Sequence, residues 1–161
     1  MNAIAGLRTD TDARTLVIER TFDAPRALVW EAWTKREHML QWSCPHGFRI
    51  TECDGDVRPG GAWRSCMVSP EGTEHRNGGV YKEVAPPERL VFTFAWKDET
   101  GKPGHETLCT VTLKEEGGKT RMTFRQEVFE SVSSRDGHAD GWSQSFERLA
   151  AYAPTIAVEG G

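Results

Sequence analysis

Cys44, His46 and Cys53 stand close together in the chain, and two thiolates with an imidazole suit zinc. A closed zinc site needs a fourth ligand, and none stands at a suitable spacing. The four cysteines, Cys44, Cys53, Cys66 and Cys109, contain no Cys-x-x-Cys, so neither a zinc ribbon nor a thiol–disulfide motif is expected. The histidines His38, His46, His75, His105 and His138 form no His-x-x-x-His pair. His138 and Asp140 stand at a helix start, where solvated or capping roles are expected. A nucleophile needs a base within reach, and no Gly-x-Ser-x-Gly or Cys/His pairing supplies one. Glu52, Asp54 and Asp56 alternate along a strand end and read as solvated. Arg58, Arg64 and Arg76 either meet an anionic ligand at a pocket mouth or form surface ion pairs. "RPGG" and "GGVYKE" contain no Gly-x-x-x-x-Gly-Lys, which leaves a phosphate loop unsupported. No catalytic residue, metal or cofactor is expected from these patterns.

What remains is a set of rings. Six tryptophans in 161 residues are a heavy share, and each large ring buries on the order of 150–250 Å². The elements that carry them are legible. "TLVIERTF" (15–22) reads as a strand. "DAPRALVWEAWT" (23–34) changes to helical period, with Asp23 as cap and Pro25 in the first turn. Thr34 and Glu37 read as a capping box for a second short helix ending near Pro45. Period two then takes over: strands are expected at 48–54, 62–69, 75–84, 90–96, 106–115 and 119–129. Arg58-Pro59-Gly60-Gly61 reads as a turn with Pro and Gly at type II positions, and Gly117-Gly118 as a hairpin. "DGHADGWSQSFERLAAYAP" returns to helical period, with Trp142, Phe146, Leu149 and Ala153 on one stripe and Pro154 as the stop. Gly137 and Gly141 sit beside that stripe, either as a frayed first turn or as a place where a backbone or ligand comes close.

A sheet of seven antiparallel strands with one apolar face needs cover, and only the last helix is long enough to give it. Strand alternation names the inward set. Phe92, Phe94 and Trp96 share one face, as do Phe124 and Gln126, while Cys109 faces with its own apolar neighbours. Trp63, Ser65 and Met67 oppose Arg64, Cys66 and Val68. Tyr81 and Glu83 share a face of undetermined side. Trp63 and Met67 are expected to look towards Trp142 and Phe146. Whether these rings fill a core or wall a pocket stays open; Ser65, Gln126, Cys109 and Tyr81 are the polar atoms that favour a pocket. A buried Gln126 amide must find partners, from a ligand, a neighbour or water.

Net charge is −4, the charged fraction is 27% and no face-long run of Lys or Arg appears, so nucleic-acid and anionic-membrane partners are not expected. No segment approaches the ~20 apolar residues of a membrane span. A cytoplasmic protein with reduced thiols is the expectation.

"FDAPRALVWEAWT", "DVRPGGAWRSCM", "GGVYKEVAPPERLVFTFAW", "GGKTRMTF" and "DGWSQSFERLAAY" follow one another in the order of a known family. The chain resembles the activator of heat-shock-protein-90 ATPase-like family of the START-like (SRPBCC) superfamily. The resemblance implies an α+β helix-grip fold, β-αα-β6-α, with a seven-stranded curved antiparallel sheet wrapped around a long C-terminal helix. It implies a stand-alone, often dimeric bacterial member, without the separate N-terminal domain of the eukaryotic co-chaperone. Residues 1–14 are expected as a flexible lead-in, 15–153 as a single START-like domain and 154–161 as a disordered tail. The expected function is binding of a small hydrophobic or aromatic molecule between sheet and helix. The residues expected to line it are Trp33, Trp63, Ser65, Met67, Tyr81, Phe92, Phe94, Trp96, Cys109, Phe124, Gln126, Trp142 and Phe146. Two alternatives stay open. One is a protein-interaction or chaperone-linked module. The other is a cyclase or dehydratase using Tyr81, Glu83 or a histidine in the same cavity.

Overall fold

The computed structural model describes residues 7–9 and 14–156. The elements are β1 (Leu7–Thr9), β2 (Leu16–Phe22), α1 (Arg26–Thr34), α2 (Arg36–Trp42), β3 (Arg49–Gly55), β4 (Ala62–Val68), β5 (Glu74–Ala85), β6 (Arg89–Trp96), β7 (Thr107–Glu116), β8 (Lys119–Glu127) and α3 (Val132–Tyr152). The sheet is antiparallel with spatial order β1-β2-β8-β7-β6-β5-β4-β3. The seven strands expected between residues 15 and 129 all form, and α3 lies across their concave face. This is the helix-grip arrangement.

Four local expectations change. A three-residue strand, β1, pairs with β2 inside the expected lead-in, Leu7 opposite Ile18 and Thr9 opposite Leu16. It covers backbone donors and acceptors that β2 would otherwise leave bare at a sheet edge. The rest of that lead-in, residues 1–6 and 10–13, lies outside the described residues, as does 157–161 of the expected tail. Ala153–Thr155 form a 3₁₀ turn and Ile156 is buried, so ordered packing continues past Pro154. At the front of α1 the cap position is Pro25, with no side-chain cap, rather than Asp23. The Thr34–Glu37 capping box does not form. A single extended residue, Lys35, separates the two helices, so Thr34 is still helical and its hydroxyl donates back to the Trp30 carbonyl at 2.8 Å.

The turns follow their residues. Gly60 has φ +86°, as position three of the Arg58–Gly61 turn requires, and the Gly61 N–H donates to the Arg58 carbonyl at 2.8 Å. Gly117 and Gly118 both have positive φ between the paired Glu116 and Lys119, the two-residue hairpin that matches strand twist. A bulge between Tyr81 and Glu83 breaks the alternation of β5. The two side chains therefore do not share a face: Tyr81 is buried inward, and Glu83 meets Arg89 outside at 3.1 Å.

α3 begins earlier than its periodicity suggests. Ser131 caps it by accepting from the Ser134 N–H at 3.0 Å. Gly137 and Gly141 consequently sit well inside the helix. Its backbone lies close to β2 and α2, and the Trp142 ring reaches across to Phe94 of β6. The densest core is under the β2–β8–β7 part of the sheet. There Phe22, Leu16, Met122, Phe124, Val111 and Leu149 are enclosed. Trp33 of α1 is the hub between that core and the rest, with ring centroids 4.8 Å from Trp42, 6.1 Å from Phe124 and 6.0 Å from Trp142.

Candidate ligand cavity and its relatives

Between α3 and strands β4, β5 and β6 the interior is open. The cavity there has a volume of about 330 Å³, at the small end of the range for small-molecule sites. β4 contributes Trp63, Ser65 and Met67, β5 contributes His75, Asn77 and Tyr81, and β6 contributes Phe92, Phe94 and Trp96. Cross-strand register sets them side by side: Ser65 faces Asn77, Met67 faces His75, and Asn77 faces Trp96. α3 contributes Gly137, His138, Gly141, Trp142 and Ser145. The small residues matter here. A Cβ on Gly137 would meet nothing within 4 Å, and one on Gly141 would meet only Pro45 Cγ, at 3.8 Å. The glycines thus leave room: they lie inside α3 and not in a frayed first turn, and no backbone approaches either of them closely.

The mouth is a ring of aromatics from four elements. Phe48 lies 5.9 Å from His75, His75 lies 6.3 Å from Trp96, and Trp96 lies 5.8 Å from His138. Arg148 on α3 fixes the loop that brings Phe48 and Pro45 there. Its Nη2 donates to the Gln41 carbonyl at 3.2 Å, and its Nη1 donates to the Cys44 carbonyl at 3.1 Å and to Cys44 Sγ at 2.8 Å. The Gln41 carbonyl belongs to the last turn of α2 and that of Cys44 lies just beyond it, so neither has a helical donor of its own.

Trp33, Trp63, Ser65, Met67, Tyr81, Phe92, Phe94, Trp96 and Trp142 line the cavity. Cys109, Phe124, Gln126 and Phe146 do not; all four are enclosed in the core beyond it. They lie on the correct faces, but α1 packs on that part of the sheet and the Trp142 and Phe146 rings of α3 fill the space against Phe124. Gln126 is fully used by its neighbours. Its Oε1 accepts from Trp142 Nε1 at 2.8 Å, and its Nε2 donates to Thr107 Oγ1 at 2.8 Å. Thr107 Oγ1 in turn donates to the Phe94 carbonyl at 3.1 Å. The chain Trp142–Gln126–Thr107–Phe94 therefore fixes two wall rings from behind. The Cys109 thiol is pushed well above its ordinary range by complete burial, with Glu127 adding to it, and stays protonated.

Sequence reasoning missed Met39, Trp42, Ser43, Pro45, Phe48, His75, Asn77, Leu90, His138 and Ser145 among the lining residues. The signal for His75 and Asn77 was their odd-numbered parity with Tyr81. His138 is no solvated or capping residue. It sits in the cavity wall, where Trp96 Nε1 donates to its Nε2 at 2.9 Å. That bond requires a neutral ring with the proton on Nδ1. Burial lowers the His138 pKa to about 4. Burial raises the Tyr81 pKa to about 12, and Cys53 nearby adds to the shift. Both groups are thus uncharged at neutral pH.

The residues first considered for metal and anion chemistry are taken up elsewhere. Cys44 is held by Arg148, and His46 Nε2 meets Glu147 Oε1 at 2.8 Å. Cys53 lies apart, beside Tyr81. Arg58 pairs with Asp56 at 2.6 Å, Arg64 with Asp54 at 3.4 Å and Arg76 with Glu52 at 2.6 Å, all at the surface. No helix among the described residues is long and apolar enough to cross a membrane.

Solved structures share this architecture. A solution structure of an Arthrobacter aurescens protein is 26% identical with a TM-score of 0.85, covering 98% of this chain and 97% of its own. The crystal structure of the AHSA1 protein from Silicibacter pomeroyi is also 26% identical, with a TM-score of 0.81 and coverage of 88% and 98%. A Chromobacterium violaceum protein is 27% identical, with a TM-score of 0.76 and coverage of 85% and 95%. No curated protein matches the chain. The family model described as "Activator of Hsp90 ATPase homolog 1-like protein" matches residues 23–153. With that match spanning most of its length and the helix-grip fold in place, the chain belongs to the Activator of Hsp90 ATPase homolog 1-like family.

Proposed function

We propose that the protein binds a small apolar or aromatic molecule between α3 and strands β4–β6. The observation that carries this reading is the 330 Å³ aromatic-walled space, kept open while the adjoining core is tightly filled. A core that served only stability would close such a space, because each unfilled volume removes contacts and costs energy. The residues that keep it open include glycines inside a helix, each lowering helix stability by roughly 1 kcal/mol relative to alanine. Burying about 200 Å² of apolar ligand surface supplies roughly 5 kcal/mol before association costs, so modest affinity is expected.

The lining favours holding over acid–base chemistry. It contains no Asp, Glu, Lys or Arg. Of its three ionisable side chains, Tyr81 and His138 have pKa values of about 12 and about 4, far from the operating range of a general acid or base at neutral pH, and His75 lies between the Phe48 and Trp96 rings. Titration with an uncharged naphthalene fluorophore, exciting the tryptophans and reading transferred emission, tests the proposal. A saturable signal displaced by small aromatic competitors is expected. A signal that rises linearly without displacement overturns it.

A further inference from the structure

We propose that Asn77 selects the ligand: the cavity takes an uncharged aromatic molecule bearing a hydrogen-bond acceptor, and the Asn77 side-chain NH2 donates to that acceptor. This rests on the cavity being a ligand site.

Asn77 is 3% exposed and lines the cavity in the first third of β5, opposite Ser65 and Trp96. Ser65 Oγ donates to Asn77 Oδ1 at 2.9 Å. That bond occupies the carbonyl end and turns the NH2 away from Ser65. Among the described residues the NH2 has no acceptor. Buried amides are ordinarily satisfied on both ends. Gln126 shows this in the same fold, accepting from Trp142 and donating to Thr107. The difference between the two amides is position. Gln126 lies in the closed core, and Asn77 borders the open space. Trp33 Nε1 in the same lining is also buried without a partner, and unused, directional donors on a mostly apolar wall are what fix orientation in small-molecule sites.

The charge state of the ligand follows from the rest of the wall. With no Lys or Arg in the lining, an anionic head would be taken out of water without a counter-ion. With no Asp or Glu, a cation has only ring faces to meet it and, carrying no acceptor, leaves the Asn77 NH2 unused. Trp63, Phe94 and Trp142 take the apolar body, and a neutral carbonyl or ether oxygen meets Asn77. A ligand of the same shape without the oxygen strips solvent from the NH2 and returns nothing.

The test compares acetylnaphthalene with ethylnaphthalene, which share a shape and differ in one acceptor. Dissociation constants are measured by competition against the fluorophore, for the wild-type protein and for Asn77→Leu. The affinity ratio, acetyl over ethyl, is expected to fall about tenfold in Asn77→Leu. Should that variant not fold, NMR of the wild-type Asn77 side-chain NH2 resonances replaces it, with a larger downfield shift expected for acetylnaphthalene than for ethylnaphthalene. If both compounds bind and displace the fluorophore but the ratio, or the NH2 shift, is the same for both, the cavity reading stands and the Asn77 assignment falls. If neither binds, both fall.

Discussion

The two ends of the bowl use the same device to different ends. Under β2, β8 and β7 the space between sheet and helix is filled by Phe22, Met122, Phe124, Phe146 and Leu149, all enclosed. Under β4, β5 and β6 the helix presents Gly137, Gly141 and Ser145, and the strands present Ser65 and Asn77 among their rings. The sheet is continuous and the helix is continuous. Helix placement and side-chain size together decide which end closes: α3 lies close to β2 and α1 packs on β7 and β8, whereas small residues border the space under β4–β6. Polar groups differ in the same way: Gln126 at the closed end is satisfied at both ends, whereas Asn77 at the open end is satisfied at one. One half of the molecule is built for stability, and the other gives some of that stability up to keep a space.

The contrast predicts unequal responses to truncation. Phe124→Ala is expected to destabilise by about 3–5 kcal/mol, because the closed end cannot collapse around the loss. Trp63→Ala, which removes a larger ring that already borders open space, is expected to cost less. Urea unfolding of both variants measures the order, and a reversed order would break the comparison. Gln126→Leu is expected next, at about 1–3 kcal/mol, because the Trp142 N–H and Thr107 lose a buried partner. Replacing Asn77 by Leu, with a donor that already lacks a protein acceptor, costs less in the ligand-free protein on the same assay.

Gly141→Leu sharpens the comparison by filling the open end. Its added atoms meet only Pro45 at first contact, so folding is retained while fluorophore affinity falls by tenfold or more, about 1.4 kcal/mol. Gly141→Ala is the control, expected to raise thermal stability by up to about 1 kcal/mol with little effect on binding.

His138 gives the smallest effect and a pH signature. Its pKa falls from 6.5 to about 4 on folding, so the unfolded chain binds the extra proton between those values. The stabilisation is complete above pH 6.5 and is lost as pH falls through 4. The ring borders the open cavity, which reduces the contribution to the order of 1 kcal/mol. Melting temperatures of wild type and His138→Asn should converge on acidification, with the Trp96 emission changing in the same window. Curves that stay parallel contradict the assignment.

The pattern of strands and turns was readable because backbone constraints are local: Pro59-Gly60 and Gly117-Gly118 announce their turns, and alternation announces each strand. The site was half readable for the same reason. Alternation tells which face a side chain takes, so Trp63, Met67 and Phe94 could be placed. It does not tell how closely the helix presses on that face, so Cys109, Phe124 and Gln126 were assigned to a cavity and lie in the core. Tyr81 and Glu83 were separated by a bulge that no residue type in "VYKEV" marks. The start of α3 was obscured because Gly137 and Gly141 weaken a helical signal that Ser131 in fact begins. Phe48 and Pro45 reach the mouth through a loop whose path is set by Arg148, a hundred residues away in the chain.

The methionines make the two ends directly observable. Met39 and Met67 line the cavity, and Met122 is enclosed at the closed end. Methyl NMR during titration with acetylnaphthalene should show ring-current shifts at Met39 and Met67 that saturate together while Met122 stays in place. Equal movement of all three, or none at any concentration the compound reaches, would contradict an open cavity that receives a ligand.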